Sequence, residues 1–181
     1  MSSFNNVVRK KVEQYNREID MVKKLIVLFF VINVFTMPVY AGTLTKGVNS
    51  YSNATIDQLQ KITKGTPLYG YEQTILNVEK KYQVNAIFIL AVAQKETSFG
   101  NAGVGKSRNN AFGLTSKKGG YAYYNNIGES ITAFGSNIKN VHFNNGRYTL
   151  PQINSVYCPG NKNWAKSIEN NINSIYNKMI K

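Results

Sequence analysis

The sequence predicts a mainly α-helical fold that is built around one buried helix. Between residues 56 and 181, apolar side chains recur at helical spacing in several segments, and little of the chain alternates as a strand would. The run 87–93 (Ile-Phe-Ile-Leu-Ala-Val-Ala) is too uniformly apolar for a surface helix, which indicates a helix enclosed by its neighbours. A chain of 181 residues is long enough for one such domain with additional terminal segments.

The N-terminal part of the chain has the pattern of an export signal. A charged start is followed by an apolar run at 25–35 and then by small residues where signal peptidase cleaves. We therefore expect residues 21–41 to be a signal peptide, with residues 1–20 either a polar extension or upstream of the true start. An uncleaved membrane anchor over 25–45 is the alternative, since that stretch carries no charge. Both alternatives place the rest of the protein outside the cell.

The folded domain is expected over residues 56–181, after a linker at 42–55 that is rich in Gly, Ser, Thr and Asn. Thr55 suits the N-cap of a first helix. Gly135 would allow a later helix to pack closely on its neighbour. The predicted elements are, in order, a short helix over 56–64, a turn at 66–70, an amphipathic helix over 72–82, the buried helix ending near Glu96, an irregular lobe over 101–120, a short strand over 121–124, and helices over 130–141 and 164–179.

The amphipathic segments also predict which side chains enter the core. In the 72–82 helix they are Ile75, Leu76, Val78 and Tyr82, and in the 164–179 helix they are Trp164, Ile168, Ile172 and Ile175.

The charge of the chain indicates an anionic partner. The formal net charge is +13, and residues 42–181 account for +10 of it through sixteen basic and six acidic side chains. Such a protein is attracted to nucleic acid, anionic lipid or a charged cell wall. The basic residues are scattered and no nucleic-acid motif is present, so we expect no nucleic-acid partner.

Glu96 is the strongest candidate for a catalytic residue. From Lys80 to the C-terminus only Glu96, Glu129 and Glu169 carry side-chain carboxylates. At the end of a buried helix, partial desolvation and the negative end of the helix dipole both disfavour the charged form. A carboxyl group that stays protonated near neutral pH can act as a general acid.

The residues around Glu96 carry a family resemblance. Residues 96–100 (Glu-Thr-Ser-Phe-Gly), followed after eight residues by 109–113 (Asn-Asn-Ala-Phe-Gly), resemble the bacterial glucosaminidase family of peptidoglycan hydrolases. Further similar segments occur in order at 81–86, 129–131, 145–157 and 164–166, so the resemblance covers about 56–180. Thr97 and Ser98 replace the family's Ser and Gly, and Ala102 stands where Ser is frequent.

The resemblance implies a lysozyme-like helical domain with a small loop or β-hairpin lobe that forms a groove for a glycan strand. It implies cleavage of the β-1,4 bond after N-acetylglucosamine, with Glu96 as the general acid and Asn110 along the substrate. Phe112 is a candidate for the substrate groove or for the core. Tyr123 is a candidate for the groove because Tyr123 and Tyr124 alternate on the predicted strand, so that one of them should face the substrate. Peptidoglycan and anionic wall polymers are the expected partners, and no cofactor is expected. We expect a monomer that is secreted to the cell wall or anchored outside the cytoplasmic membrane.

A second catalytic carboxylate is harder to place, although most glycosidases use two. Residues 113–128 contain no Asp or Glu. Glu129 either stabilises the start of the next helix or takes part in catalysis. If Glu96 acts alone, the 2-acetamido oxygen of the sugar can be the nucleophile, or Tyr124, Tyr157 or an Asn can position the attacking water.

Three other functions are compatible with parts of the sequence. A lytic transglycosylase or a muramidase would use the same fold and the same Glu96. A non-catalytic wall-binding module would keep the groove without turnover.

A Cys-His enzyme is disfavoured, because Cys158 precedes Pro159-Gly160, which indicates a turn, and because the chain has one Cys and one His. That composition excludes a disulfide within the chain and a His-rich metal site.

Overall fold

The computed structural model describes residues 11, 13–24 and 47–181, and the chain forms two compact units, Met1–Tyr40 and Ala41–Lys181. In the first unit, residues 13–24 are helical and exposed. The predicted apolar segment of the export signal at 25–35 lies outside the described residues, as do all positions of the predicted 25–45 anchor. None of the described helices combines the length and the apolarity that a membrane span requires.

In residues 47–181 the regular structure is helical, which confirms the predicted fold class. The helices are α1 (Ile56–Thr63), α2 (Glu72–Tyr82), α3 (Ala86–Thr97), α4 (Gly103–Arg108), α5 (Ile127–Asn137), α6 (Leu150–Tyr157) and α7 (Trp164–Met179). A π-helical turn at Ile138–His142 and a 3-10 turn at Phe143–Asn145 continue α5 as far as Gly146.

Helix α3 is the buried central helix that the sequence predicts. Every residue from 86 to 93 is buried, and α3 packs chiefly against α7. Asn85 begins the helix by accepting hydrogen bonds from the N–H groups of Ile87 and Phe88 at 2.9 and 3.1 Å. Asn171 of α7 donates to the Ala91 carbonyl oxygen at 3.1 Å and ties the two helices together. Glu96 therefore lies in the last turn of a helix whose residues 86–93 are all buried.

Helices α2 and α5 pack together at Gly135, as predicted. A Cβ atom at this position would overlap Val78 Cγ1 and stand 3.0 Å from the Tyr82 ring. Ile75 and Val78 are buried, while Leu76 and Tyr82 are half-buried against the same core. Trp164, Ile168, Ile172 and Ile175 are all buried, which confirms the predicted inner face of α7.

The segment 47–55, which falls in the predicted linker, packs on the domain. Val48 is buried, its N–H donates to the Tyr148 carbonyl oxygen at 2.8 Å, and its own carbonyl oxygen accepts from Asn85 N–H at 2.9 Å. The Glu79 carboxylate accepts from Ser52 N–H and Oγ at 2.8 and 3.1 Å. Folded structure therefore extends upstream of α1 at least to Gly47.

The lobe, which we define as residues 101–126, differs from the sequence-based expectation. It begins with α4, and the predicted strand over 121–124 is absent. Only an isolated antiparallel bridge between Thr115 and Tyr121 forms there. Beyond the bridge the backbone pairs with the end of α4 instead, because Tyr124 N–H donates to the Arg108 carbonyl oxygen and the Tyr124 carbonyl oxygen accepts from Asn109 Nδ2, both at 3.0 Å.

Candidate active site

Glu96 lies in the last turn of α3, and its side chain is exposed rather than partly buried as expected from the sequence. The Glu96 side chain is exposed because the buried part of α3 ends at Ala93, and both Lys95 and Glu96 lie beyond it. Oε1 of Glu96 accepts a hydrogen bond from Trp164 Nε1 at 2.7 Å. Within the described part of the chain, Oε2 has no hydrogen-bond partner. One carboxylate oxygen is thus fixed, and the other is free to reach a ligand.

Thr97 connects the end of α3 to the 109–113 loop. Its Oγ1 donates to the Ala111 carbonyl oxygen at 2.7 Å and accepts from Gly100 N–H at 2.9 Å. Ser98 and Phe99 both have positive φ, so the chain reverses directly after Glu96. The hydroxyl at 97 therefore has a structural purpose in this motif, since it sets the distance between the Glu96 turn and the loop.

Trp164 packs against a cluster of aromatic side chains. The Trp164 and Tyr157 ring centroids lie 5.1 Å apart, and Tyr157 meets the Phe134 ring edge-on at 6.2 Å. Phe112 is buried and stacks on Phe134 at 4.2 Å, so its side chain belongs to the core. Trp164 was predicted only as a core residue, and its hydrogen bond to Glu96 had no signal in the sequence.

The Tyr157 hydroxyl is protonated and already makes a hydrogen bond within the protein. Its hydroxyl donates to the Phe112 carbonyl oxygen at 2.7 Å. Burial, followed by electrostatic interaction with Glu96 and Cys158, raises the pKa of Tyr157 well above its usual value. The Tyr157 proton therefore stays in place near neutral pH, and this side chain ties α6 to the 109–113 loop.

Asn110 is buried inside the lobe. Its Nδ2 donates to the carbonyl oxygens of Leu114 and Ala122 at 2.8 and 3.1 Å, and its Oδ1 accepts from Leu114 N–H at 2.9 Å. The amide thus holds the two sides of the lobe together. Tyr121 and Tyr123 are both exposed on the same extended segment and are available for stacking on a ligand.

Tyr124 and Glu129 line one cavity together. This cavity of about 620 Å³ lies along α2 and α5, and Glu96 is not among its lining residues. Its lining residues are Tyr71, Thr74, Tyr82, Tyr124, Asn126, Gly128, Glu129, Thr132, Ala133 and Ser136. Burial raises the pKa of Tyr124.

The Glu129 carboxylate is held by Asn125 in the first turn of α5. Oε2 accepts from Asn125 N–H at 3.0 Å, and both carboxylate oxygens accept from Asn125 Nδ2. The side-chain and backbone hydrogen bonds from Asn125 lower the pKa of Glu129. Asn126 caps the same turn by accepting from Glu129 N–H at 3.0 Å. Every one of these contacts serves the start of the helix.

Replacing Glu129 by Gln is expected to leave kcat within about threefold of wild type and to lower stability slightly, because an amide interacts less well with a helix N-terminus. The kinetics are measured on purified peptidoglycan beside a thermal unfolding curve. A loss of activity of a hundredfold with unchanged unfolding would instead make Glu129 catalytic.

His142 is a buried, uncharged histidine. It is 1% exposed, and its Nδ1 has no hydrogen-bond partner within residues 47–181. Burial, and then the positive charge of Arg147, lower the pKa of His142 below its ordinary 6.5. Cys158, the other half of the disfavoured Cys-His pair, is half-buried at the C-terminal end of α6.

We expect His142 to make stability fall with acidification. Below the ordinary pKa of 6.5 the unfolded chain binds a proton that the folded protein does not, so the free energy of unfolding decreases as the pH falls through that window. Urea unfolding of the wild type and of His142→Phe at several pH values is the measurement. An equal slope in both proteins would contradict the assignment.

Comparisons with known proteins agree on family and fold. Residues 72–177 match the glucosaminidase family, described as mannosyl-glycoprotein endo-beta-N-acetylglucosaminidase. No curated protein sequence matches the chain. Among solved structures, S. aureus autolysin E in complex with the muropeptide NAM-L-Ala-D-iGlu is similar at 19% identity and a TM-score of 0.61, covering 73% of this chain and 71% of that chain.

A second solved form of autolysin E is a catalytic mutant with a glutamate changed to alanine, in complex with the disaccharide NAG-NAM. It is similar at 17% identity and a TM-score of 0.60, with 73% and 71% of the two chains covered. At these identities the structural likeness establishes a shared fold, and the family match comes from the sequence.

Proposed function

The chain belongs to the glucosaminidase family, and we propose that it is an exported peptidoglycan hydrolase that cleaves the β-1,4 bond after N-acetylglucosamine, with Glu96 as the general acid. The observation that carries this proposal is the arrangement of Glu96, an exposed carboxyl group on a buried helix with one oxygen held by Trp164. Glu96 and the 109–113 loop both fall within the residues that match the family.

The proposed reaction begins with proton transfer from Glu96. Oε2 carries the proton and gives it to the glycosidic oxygen as the bond from the sugar C1 to that oxygen breaks. The 2-acetamido oxygen of the same sugar bonds to C1 and replaces an enzyme nucleophile. Water then attacks C1, loses its proton to Glu96, and restores both the acetamido group and the acid.

Substrate assistance is favoured by where the other carboxylates lie. Glu129 is engaged by Asn125, and Glu169 forms an exposed ion pair with Lys166 at 2.7 Å. Tyr157 keeps its proton, and its hydroxyl donates a hydrogen bond to the Phe112 carbonyl oxygen. None of these groups is placed as a free base beside Glu96.

Two comparisons support peptidoglycan as the substrate. Autolysin E has been solved with NAG-NAM, and separately with a muropeptide, and its catalytic mutant lacks a glutamate. Glu96, which lies within the residues that match the family, is the glutamate that we assign the corresponding role here. Export and a location at the cell wall agree with this substrate and with the predicted signal segment at 21–41.

Mass spectrometry of fragments released from purified cell walls tests the proposed function. Hydrolysis should release fragments with an intact reducing end. A lytic transglycosylase would use the muramic-acid 6-hydroxyl as nucleophile and release anhydro fragments that are lighter by one water. Binding to walls without any release would indicate a non-catalytic module.

Attraction to anionic wall polymers should depend on salt. Residues 42–181 carry a net charge of +10, and salt shortens the range over which these charges act, from about 10 Å at 0.1 M to about 3 Å at 1 M. We expect the fraction bound to purified walls in a pull-down to fall several-fold between low and high salt. Binding that is independent of salt would mean that sugar contacts alone hold the protein.

A further inference from the structure

We propose that Trp164 is a positioning residue that holds Glu96 in the orientation needed for proton transfer. The inference rests on the proposed function, since it assigns Trp164 a role through Glu96. Its basis is the 2.7 Å hydrogen bond from the indole Nε1 to Glu96 Oε1.

Trp164 is a rigid donor. The side chain is 1% exposed and begins α7, where its backbone N–H donates to the Asn161 carbonyl oxygen at 3.2 Å. The Tyr157 ring packs against it at 5.1 Å, and α7 is held to α3 through the Asn171 contact with Ala91. The indole therefore cannot turn away from Glu96 without repacking the core.

Glu96 by itself is a flexible acid. A glutamate has several rotatable bonds, and ordering such a side chain costs about 1.5–2 kcal/mol of conformational entropy. Because the group is exposed at the end of α3, the core does not restrict it. A donor that is already ordered removes much of this freedom before the substrate binds, and correct orientation is a large part of catalytic rate.

A neutral indole donor is also more compatible with a protonated carboxyl group than a cationic donor would be. It is a neutral group that donates and cannot accept. Among the described residues no Lys or Arg forms an ion pair with Glu96, and the neighbouring Lys95 is exposed. A cation would favour the ionised carboxylate, whereas the indole can bond Oε1 while the proton resides on Oε2. The free oxygen is therefore the one that carries the reactive proton.

The presence of a single tryptophan makes a precise chemical test available. Replacing tryptophan throughout the protein with benzothienylalanine, by expression in a tryptophan auxotroph, changes only Trp164. Sulfur replaces the N–H while the ring keeps nearly the same shape. Because loss of this hydrogen bond frees the carboxyl group from the orientation needed for proton transfer, we expect kcat to fall roughly 10- to 100-fold. KM should change less than about threefold, and thermal unfolding should be nearly unchanged.

A genetic variant and a matched control extend this test. Trp164→Phe removes the same donor, and we expect it to lose kcat in the same range. Ile168→Val removes one methyl group a single turn further along α7 and should lower the melting temperature by a few degrees without changing kcat. If Ile168→Val loses as much kcat as Trp164→Phe, general loosening of α7 is the cause and the proposal fails.

The same tryptophan reports the contact directly. Its fluorescence, excited at the red edge where tyrosine does not absorb, should change when Glu96 gains or loses its proton, and this step should be absent in Glu96→Gln. An identical pH dependence in both proteins would show that the indole does not sense Glu96 and would overturn the proposal.

Activity separates the two possible failures. If Glu96→Gln is inactive while the sulfur analogue keeps wild-type kcat, the positioning role is wrong and the proposed function stands. If Glu96→Gln is itself active, Glu96 is not the acid, and the role of Trp164 is overturned with it.

Discussion

Glu96→Gln is expected to lower kcat on peptidoglycan by at least two orders of magnitude, the usual contribution of general acid catalysis. Glutamine has nearly the same shape, and its amide oxygen can still accept from Trp164 Nε1, so the fold and the hydrogen bond should remain. The amide has no acidic proton to give to the leaving oxygen. The measurement is the rate at which new reducing ends appear in purified peptidoglycan, beside a thermal unfolding curve.

Glu169→Gln is the matched control for this experiment. It removes one negative charge as well, but Glu169 lies on α7 in an exposed ion pair with Lys166, and such pairs contribute little to stability. Its activity should equal that of wild type. Activity of Glu96→Gln within a factor of three of wild type would rule out Glu96 as the general acid.

Glu79→Ala is expected to cause the largest loss of stability, about 3 kcal/mol or more. Glu79 is buried, and its carboxylate accepts from Ser52 N–H, Ser52 Oγ and Ala86 N–H at 2.8, 3.1 and 2.8 Å. Alanine would leave two buried N–H groups without an acceptor, at about 1–3 kcal/mol each. For a domain of this size the melting temperature should fall by roughly 10 °C.

Glu79→Gln should separate the hydrogen bonds from the charge. The glutamine Oε1 can accept from both N–H groups, and its Nε2 can donate to Ser52 Oγ, so the loss should be about 1 kcal/mol. Thermal and urea unfolding of the two variants provide the comparison. Equal stability of Glu79→Ala and wild type would mean that segment 47–55 is not held to α3 through this carboxylate.

The helices could be predicted where the apolar periodicity is long, even without a side-chain N-cap, as in α2 and α7. Helices α2 and α7 begin and end at the predicted residues, and the capping box at Thr55 begins α1. Helix α6 was not predicted, although Thr149 and Gln152 form a capping box and Pro151 lies in the first turn. Its apolar face is too short to give a periodic pattern. The capping box at its N-terminus was therefore the only signal in the sequence that could have predicted this helix.

Long-range contacts were the part that the sequence could not supply. Glu96 and Trp164 are 68 positions apart, and their hydrogen bond exists only because α3 and α7 pack side by side. Packing of segment 47–55 likewise depends on a long-range contact, the hydrogen bonds from Ser52 to Glu79. In the sequence, Glu79 has the pattern of an ordinary surface residue of an amphipathic helix. Tyr124 and Glu129 were predicted as possible partners of Glu96, and nothing in the sequence indicated that they line one cavity along α2 and α5.

The catalytic role of Glu96 stays a prediction that follows from the sequence, and the structure adds how its carboxyl group is held. The family match extends over the whole region that contains it. What remains open to experiment is which sugar is left at the newly formed end, since both sugars of peptidoglycan carry an acetamido group and could assist their own cleavage.

The most direct test is therefore the identity of the new reducing end. Purified wall is digested by the full-length protein, reduced with borohydride and hydrolysed to its sugars, with Glu96→Gln as the blank. Hydrolysis after N-acetylglucosamine predicts glucosaminitol in the wild-type digest and none in the blank. Muramitol in its place would identify a muramidase, and anhydro-muramic products without either alcohol would identify a transglycosylase. Either result would contradict the proposed reaction.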